Sequence, residues 1–255
     1  MLTEWARNGV RLKTMVQNGI SEDILLRAVE FGASLAGLAS ILDLKGSPTY
    51  GIYQKSPYYD GYRGVEWPEK AKAVLVLALE HPSDRPELDW WGEAIPGFTP
   101  GNRILIRISK KLQKWLKDIH DINAEPLPYP VEKGGIFLKD AAVLAGLGII
   151  GKNNLLVTPE YGPRIRLRAL FLDKVMELTG PIDFSPCEKC DRPCFAVCPE
   201  NAFSSGHYAV NSCEPEMRRN RAHLIEVAGD LVGMDSSCAV QKFCRSCELA
   251  CPVHS

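Results

Sequence analysis

All nine cysteines of this 255-residue chain lie in its last third, and residues 1–186 contain none. Most fall in two runs. The first is Cys187-Glu-Lys-Cys190-Asp-Arg-Pro-Cys194-Phe-Ala-Val-Cys198-Pro199, and the second is Cys244-Arg-Ser-Cys247-Glu-Leu-Ala-Cys251-Pro252; Cys213 and Cys238 lie between them. Repeated C-x2-C spacing closed by Cys-Pro is the pattern with which thiolates hold [4Fe–4S] clusters. Such clusters pass single electrons, so the chain is expected to carry out redox chemistry or to feed it.

Two rival uses of the cysteines fit less well. A disulfide framework belongs to small domains in oxidising compartments. The start, Met1-Leu-Thr-Glu-Trp-Ala-Arg7, lacks the basic and then apolar segments of a secretory signal. One zinc ion on two C-x2-C pairs would use four thiolates, leave five cysteines without a role and give the two Cys-Pro pairs no purpose. In two-cluster ferredoxins the fourth cysteine of each run crosses to the other cluster. By that analogy one cluster takes Cys187, Cys190, Cys194 and Cys251; the other takes Cys198, Cys244, Cys247 and either Cys213 or Cys238. The first run departs from the usual spacing, with three residues between Cys190 and Cys194, one of them Pro193.

A chain of this length suits one large domain with a smaller one appended. Its formal net charge of −1 argues against a broadly basic nucleic-acid surface. The apolar stretches at residues 73–79 and 141–150 are too short to span a bilayer. Cytoplasmic location is expected, where thiolates stay reduced.

The first 180 residues read as α/β. Ser21 is expected to cap a helix over 22–31, with Ile24, Ala28 and Phe31 on one face and Gly32 as its stop. Residues 73–79 read as a buried strand. Residues 103–118 form an amphipathic pattern, with Ile104, Ile108, Leu112 and Trp115 at helical spacing. The stretches 46–67 and 81–101 read as long ordered loops, which in compact domains are usually functional. His81 and His120 read as ordinary polar residues.

Residues 135–145 read as a helix leading into Gly146-Leu-Gly148-Ile-Ile-Gly151-Lys152-Asn153-Asn154, followed by a strand over 155–158. The G-x-G-x-x-G match is not a dinucleotide site, because that motif must follow a strand and open a helix. The glycines are instead expected to let the backbone turn beside a cofactor. Residues 164–169 alternate as a half-buried strand, placing Arg164, Arg166 and Arg168 on one face. Such a row either holds an anionic group or pairs with nearby acids.

The segment from Ala145 to Asn154, followed by the Cys187 run and then the Cys244 run, resembles the epoxyqueuosine reductase family. These are cobalamin-dependent, two-[4Fe–4S] proteins related to reductive dehalogenases. The resemblance implies an α/β (α+β) fold: a nitroreductase-like cobalamin-binding domain over 1–180, then a ferredoxin-like domain over 181–255. It implies cofactor contacts by Gly146, Gly148, Gly151, Lys152 and Asn153, and Cys213 rather than Cys238 as the remaining ligand. The family's proton-donating aspartate corresponds to Glu132, and its Asp-Tyr-His element to Arg103-Ile-Leu105. The chain stops at Ser255, short of the helical extension of longer members.

The implied activity is reduction of a small or nucleoside-like substrate, with electrons from a ferredoxin- or flavodoxin-type donor. The near-neutral charge weighs against tRNA as partner. Two other readings stand beside it. One is an electron-transfer module that reduces the corrinoid of a partner protein, and the other is a flavin in place of cobalamin.

Overall fold

The computed structural model describes residues 19–54, 65 and 67–253. Within them the chain forms helix α1 (Ile20–Glu30), strand β1 (Leu35–Ser40), short helices α2 (Ile41–Lys45) and α3 (Pro48–Gln54), and strand β2 (Ala73–Glu80). A 3-10 turn (Pro86–Asp89) precedes the long helix α4 (Pro100–His120), then come β3 (Ala124–Pro126), a 3-10 turn (Val131–Lys133) and α5 (Leu138–Leu144). The hairpin of β4 (Ile149–Ile150) and β5 (Leu156–Val157) leads to β6 (Ile165–Leu172).

Strands β1, β2, β6 and β3 pair in that order, all antiparallel. The apolar run of β2 is uninterrupted because both its faces are covered. Val74, Val76 and Ala78 enter one core with Ile41, Leu44, Ala141 and Ala142 from α2 and α5. Ala73, Leu75 and Leu77 enter another with Ile24, Leu105, Ile108, Leu112 and Leu116 from α1 and α4. The architecture is a mixed α/β layering, as expected.

Several local expectations need correction. Ser21 is not the cap of α1, which starts at Ile20 behind Gly19. The Ser21 hydroxyl is buried and accepts the Glu177 N–H at 2.9 Å, so a tertiary contact has claimed the capping oxygen. Gly32, at φ 110°, does stop the helix. Helix α4 begins three residues before the expected Arg103, because Thr99 Oγ1 accepts the Asn102 N–H at 3.1 Å and Pro100 occupies the first turn. Its buried stripe runs through Leu105, Ile108, Leu112 and Leu116, while Ile104 and Trp115 are only half-buried. The expected loop over 46–67 contains α3, and residues 55–64 and 66 of it lie outside the described residues.

The C-terminal part adds α6 (Pro193–Ala196), α7 (Val210–Ala222), β7 (Leu224–Val227), α8 (Gly229–Val232), β8 (Cys238–Gln241) and α9 (Ser246–Leu249). Strands β7 and β8 pair antiparallel over a small core of Val227, Val232, Cys238 and Val240. Ile95, from the 81–101 loop, completes that core, and Trp91 bridges to Gln241.

Candidate functional site

Helices α6 and α9 pack against each other, and each, with the turn that follows it, carries two cysteines four residues apart: Cys194 with Cys198 two residues past α6, and Cys247 with Cys251 two residues past α9. Within each pair the two thiols go to different sites. Cys194 and Cys251 join Cys187 and Cys190 around a space of about 350 Å³ that includes open solvent. Cys198 and Cys247 join Cys213 and Cys244 around a second, of about 380 Å³. Cys238 belongs to neither group; it is buried in the small apolar core of the β7–β8 hairpin. The structure thus brings eight of the cysteines together as the crossed spacing requires, with Cys213 in the place left open between it and Cys238.

A tetrahedral zinc draws four ligand sulfurs to about 2.3 Å from one point. Among the described residues no three His, Cys, Asp or Glu side chains converge in that way. Four thiols around a wider space fit a polynuclear cluster. Burial, followed by the neighbouring Cys244, Cys198 and Cys213, pushes the Cys247 thiol up to about 12. Cys194, Cys213 and Cys251 are raised as well, burial being the largest cause in each case. Crowding thiols in this way is unfavourable for their ionised forms unless a metal supplies positive charge.

The glycine segment lies directly behind the first site. Gly146, at φ 72°, ends α5; a Cβ there would stand 2.7 Å from the Thr179 carbonyl. A Cβ at Gly148 would stand 2.1 Å from the Val157 carbonyl. The close approaches of both glycines are thus to the chain's own backbone. Gly151 differs: its missing Cβ would stand 2.8 Å from the Val157 side chain and 3.0 Å from Asn153 Oδ1, with the Cys187 sulfur in ordinary contact at 3.6 Å. Lys152 and Asn153 line the first site. Asn153 is buried; its Oδ1 accepts the Leu155 N–H at 3.2 Å, and its Nδ2 donates to the Cys247 carbonyl at 3.4 Å, so it touches a residue of the second site. As expected of a non-Rossmann segment, a helix precedes the motif and a strand, β5, follows it; β4, its hairpin partner, lies within the motif. Lys139, which the sequence reading passed over, holds this turn by donating to the Asn154 carbonyl at 2.6 Å and to its Oδ1 at 3.0 Å. Burial pushes its ammonium below the usual lysine range.

Glu132 sits in the 3-10 turn Val131–Lys133, between Pro130 and the left-handed Gly134. Gly135 fixes the base of this turn, since a Cβ there would stand 2.6 Å and 2.7 Å from the Pro128 and Pro130 carbonyls. Arg103, which stands in place of the family's Asp-Tyr-His element, donates to the Val232 and Gly233 carbonyls at 2.8 and 3.1 Å.

The arginine row divides. Arg164 is buried and donates to the Val253 carbonyl at 3.3 Å. Arg166 grips Asp89 with two nitrogens, at 2.8 and 3.0 Å, and reaches Glu248 at 2.8 Å. Arg245 joins both acids, and donates to the His81 carbonyl at 2.7 Å. His81, 1% exposed, closes the network with its Nδ1 2.8 Å from Asp89. Burial raises the Asp89 pKa, but the His81 hydrogen bond and the Arg166 and Arg245 charges outweigh it and hold that carboxyl at about 2. His81 is therefore no ordinary loop residue, and part of the row is paired with acids. Arg245 and Glu248 belong to the second cysteine run, so this network ties that run to β6. Arg168 has no hydrogen-bond or ion-pair partner among the described residues; burial lowers its pKa and Tyr129 is its electrostatic neighbour.

No protein-family model matches the chain. Epoxyqueuosine reductase of Lactococcus garvieae is 28% identical over 193 residues, covering 72% of this chain and 52% of the relative. A tetrachloroethene reductive dehalogenase of Desulfitobacterium hafniense is 27% identical over 171 residues, 66% of this chain and 29% of the relative. The solved epoxyqueuosine reductase of Streptococcus thermophilus superimposes with a TM-score of 0.63 at 20% identity, over 92% of this chain and 66% of that one. The chain has the epoxyqueuosine reductase fold. The family resemblance read from its sequence is thereby borne out. A further solved structure of this fold, at a TM-score of 0.62, 21% identity and coverage of 91% and 64%, is described with an epoxyqueuosine-modified tRNA stem loop. This chain spans about half the length of the curated epoxyqueuosine reductase it matches. Among the described residues no helix is long and apolar enough to cross a membrane.

Proposed function

We propose that the chain is an oxidoreductase of the epoxyqueuosine reductase type, with two [4Fe–4S] clusters and a cobalamin serving the reduction of a small or nucleoside-like substrate. What supports this reading most is the sorting of eight cysteines into two groups of four around separate spaces. When bound, the clusters supply one-electron transfer and the cobalamin a reducing metal centre.

The chain's own residues have separable tasks. Cys187, Cys190, Cys194 and Cys251 hold one cluster; Cys198, Cys213, Cys244 and Cys247 hold the other. Residues 181–255 act as the ferredoxin-like domain and 1–180 as the nitroreductase-like, cofactor-binding one. Gly151 leaves room for Val157 and Asn153 in the turn beside the first cluster, and Lys139 and Asn153 fix that turn. Glu132 donates the proton that reduction requires, from a turn braced by Gly135. Arg168, unlike Arg164 and Arg166, has its guanidinium available for an anionic group of substrate or cofactor. Electrons come from an external low-potential donor of ferredoxin or flavodoxin type. The tRNA stem loop in a structural neighbour keeps a nucleoside-like substrate in the reading, while a formal net charge of −1 offers no broad basic surface for a long RNA.

Anaerobic purification tests this, with metal analysis, electron paramagnetic resonance and a cobalamin-binding titration. About eight irons per chain and stoichiometric cobalamin binding are expected. Zinc in place of iron would overturn the reading. Full iron without cobalamin binding would convert it to an electron-transfer module serving a partner's corrinoid.

A further inference from the structure

The two four-cysteine sites differ in the charges that line them. Around Cys187, Cys190, Cys194 and Cys251 the charged lining residues are Lys152 and Arg192, with no carboxylate. The buried Arg164 adds a third cation, donating to the carbonyl of Val253, two residues beyond Cys251. Neither Lys152 nor Arg164 has a carboxylate partner among the described residues. Asp191 and Glu188 lie in the same run but outside the lining, and Lys189 offsets one of them.

Around Cys198, Cys213, Cys244 and Cys247 the charged lining residues are Glu200 and Glu216, with no cation. Arg219 pairs with both from behind, at 2.6 Å from Glu216, which leaves one net negative charge. Glu214 is neutralised by Arg221, and Glu248 by Arg166 and Arg245. Hydrogen bonds to sulfur occur at both sites. Arg192 N–H donates to Cys190 at 3.4 Å and the Val253 backbone bonds Cys251 in the first; Ala202 N–H donates to Cys198 at 3.3 Å in the second, where Tyr208 bonds Cys213 and the Ser246 hydroxyl lies 3.4 Å from the Cys244 sulfur.

A thiolate-bound cluster becomes more negative on reduction, so nearby cations raise its potential and nearby anions lower it. We infer that Lys152, Arg164 and Arg192 set the Cys187 site at a higher potential than the Cys198 site, where Glu200 and Glu216 act in the opposite sense. The chain thereby biases an electron shared between the two sites towards the Cys187 site, beside the 151–154 turn. This rests on the cluster reading above and adds to it a direction with residues assigned.

The test is a potentiometric titration of the anaerobically reconstituted protein, followed by electron paramagnetic resonance. Lys152→Gln and Arg192→Gln should each lower the higher midpoint only. The expected change is up to about tenfold in the reduced-to-oxidised ratio at fixed potential, about 59 mV for a one-electron couple. Glu216→Gln and Glu200→Gln should raise the lower midpoint only. Two variants on each side keep the result readable if one loads iron poorly. A Lys152→Gln shift in the lower-potential centre, or midpoints unmoved in all four iron-loaded variants, would overturn the gradient. Iron absent from the unsubstituted protein would instead overturn the cluster reading.

Discussion

Replacing Asp89 by asparagine probes the ion network that joins the second cysteine run to the sheet. Asp89 is 19% exposed and accepts from His81, Arg166 and Arg245. Its carboxyl titrates at about 2 instead of 3.8. That displacement of roughly two pH units is worth about 2.5 kcal/mol, at about 1.36 kcal/mol per unit. Breaking a buried pair costs about 3–5 kcal/mol when the partner charge is stranded, but here Glu248 still serves both arginines. A loss of about 2–4 kcal/mol is therefore expected, or a fall in melting temperature of roughly 4–16 °C for a chain of this size. The folded carboxyl is the stronger acid, so its contribution is complete above the ordinary carboxylate pKa and is lost as pH falls from about 4 towards 2. Thermal unfolding of both proteins, from neutral pH downwards, measures this. Melting of the Asp89→Asn protein within about 1 °C of the parent at pH 7 would refute the reasoning. So would a gap between the two that widens in acid.

Three further substitutions test neighbouring points. Gly101→Ala should destabilise by about 1–3 kcal/mol or more, since its Cβ would stand 2.2 Å from the His81 ring; denaturant unfolding reads this directly. Cys238→Ala should leave the iron content intact and cost only the packing of a small buried side chain, whereas Cys213→Ala should lose about half the iron. Glu132→Gln should lower turnover in any reductase assay by about 10²–10⁴-fold, the usual range for a lost general acid, with iron and cobalamin binding unchanged; full activity in this variant would remove Glu132 from the chemistry.

Much of the site was legible because it depends on spacing within short segments. The crossed grouping came from the analogy with two-cluster ferredoxins, whose fourth cysteine joins the other cluster, and the spaces that the cysteines line sort them in the same way. The strand at residues 73–79 and the stripe of α4 were legible because burial leaves a periodic trace. What escaped the reading depends on partners far apart in sequence. Ser21 looks like a cap until Glu177, 156 residues away, claims its hydroxyl. Asp89 and His81 look like loop polar residues until Arg166 and Arg245 arrive from β6 and the cysteine run. Lys139 gave no signal either, because its target, Asn154, adopts a left-handed conformation that the sequence does not announce.

The sharing of α6 and α9 between the two sites has a consequence for how the protein is made and lost. Fraying α6 or α9 together with the turn that follows it would withdraw one thiol from each site, so disorder at one is felt at the other. Iron loading and local folding are then coupled, and whatever binds only the folded arrangement stabilises it by mass action. Partial damage at one end, by oxygen or a chelator, would propagate to the other through a few residues of shared backbone.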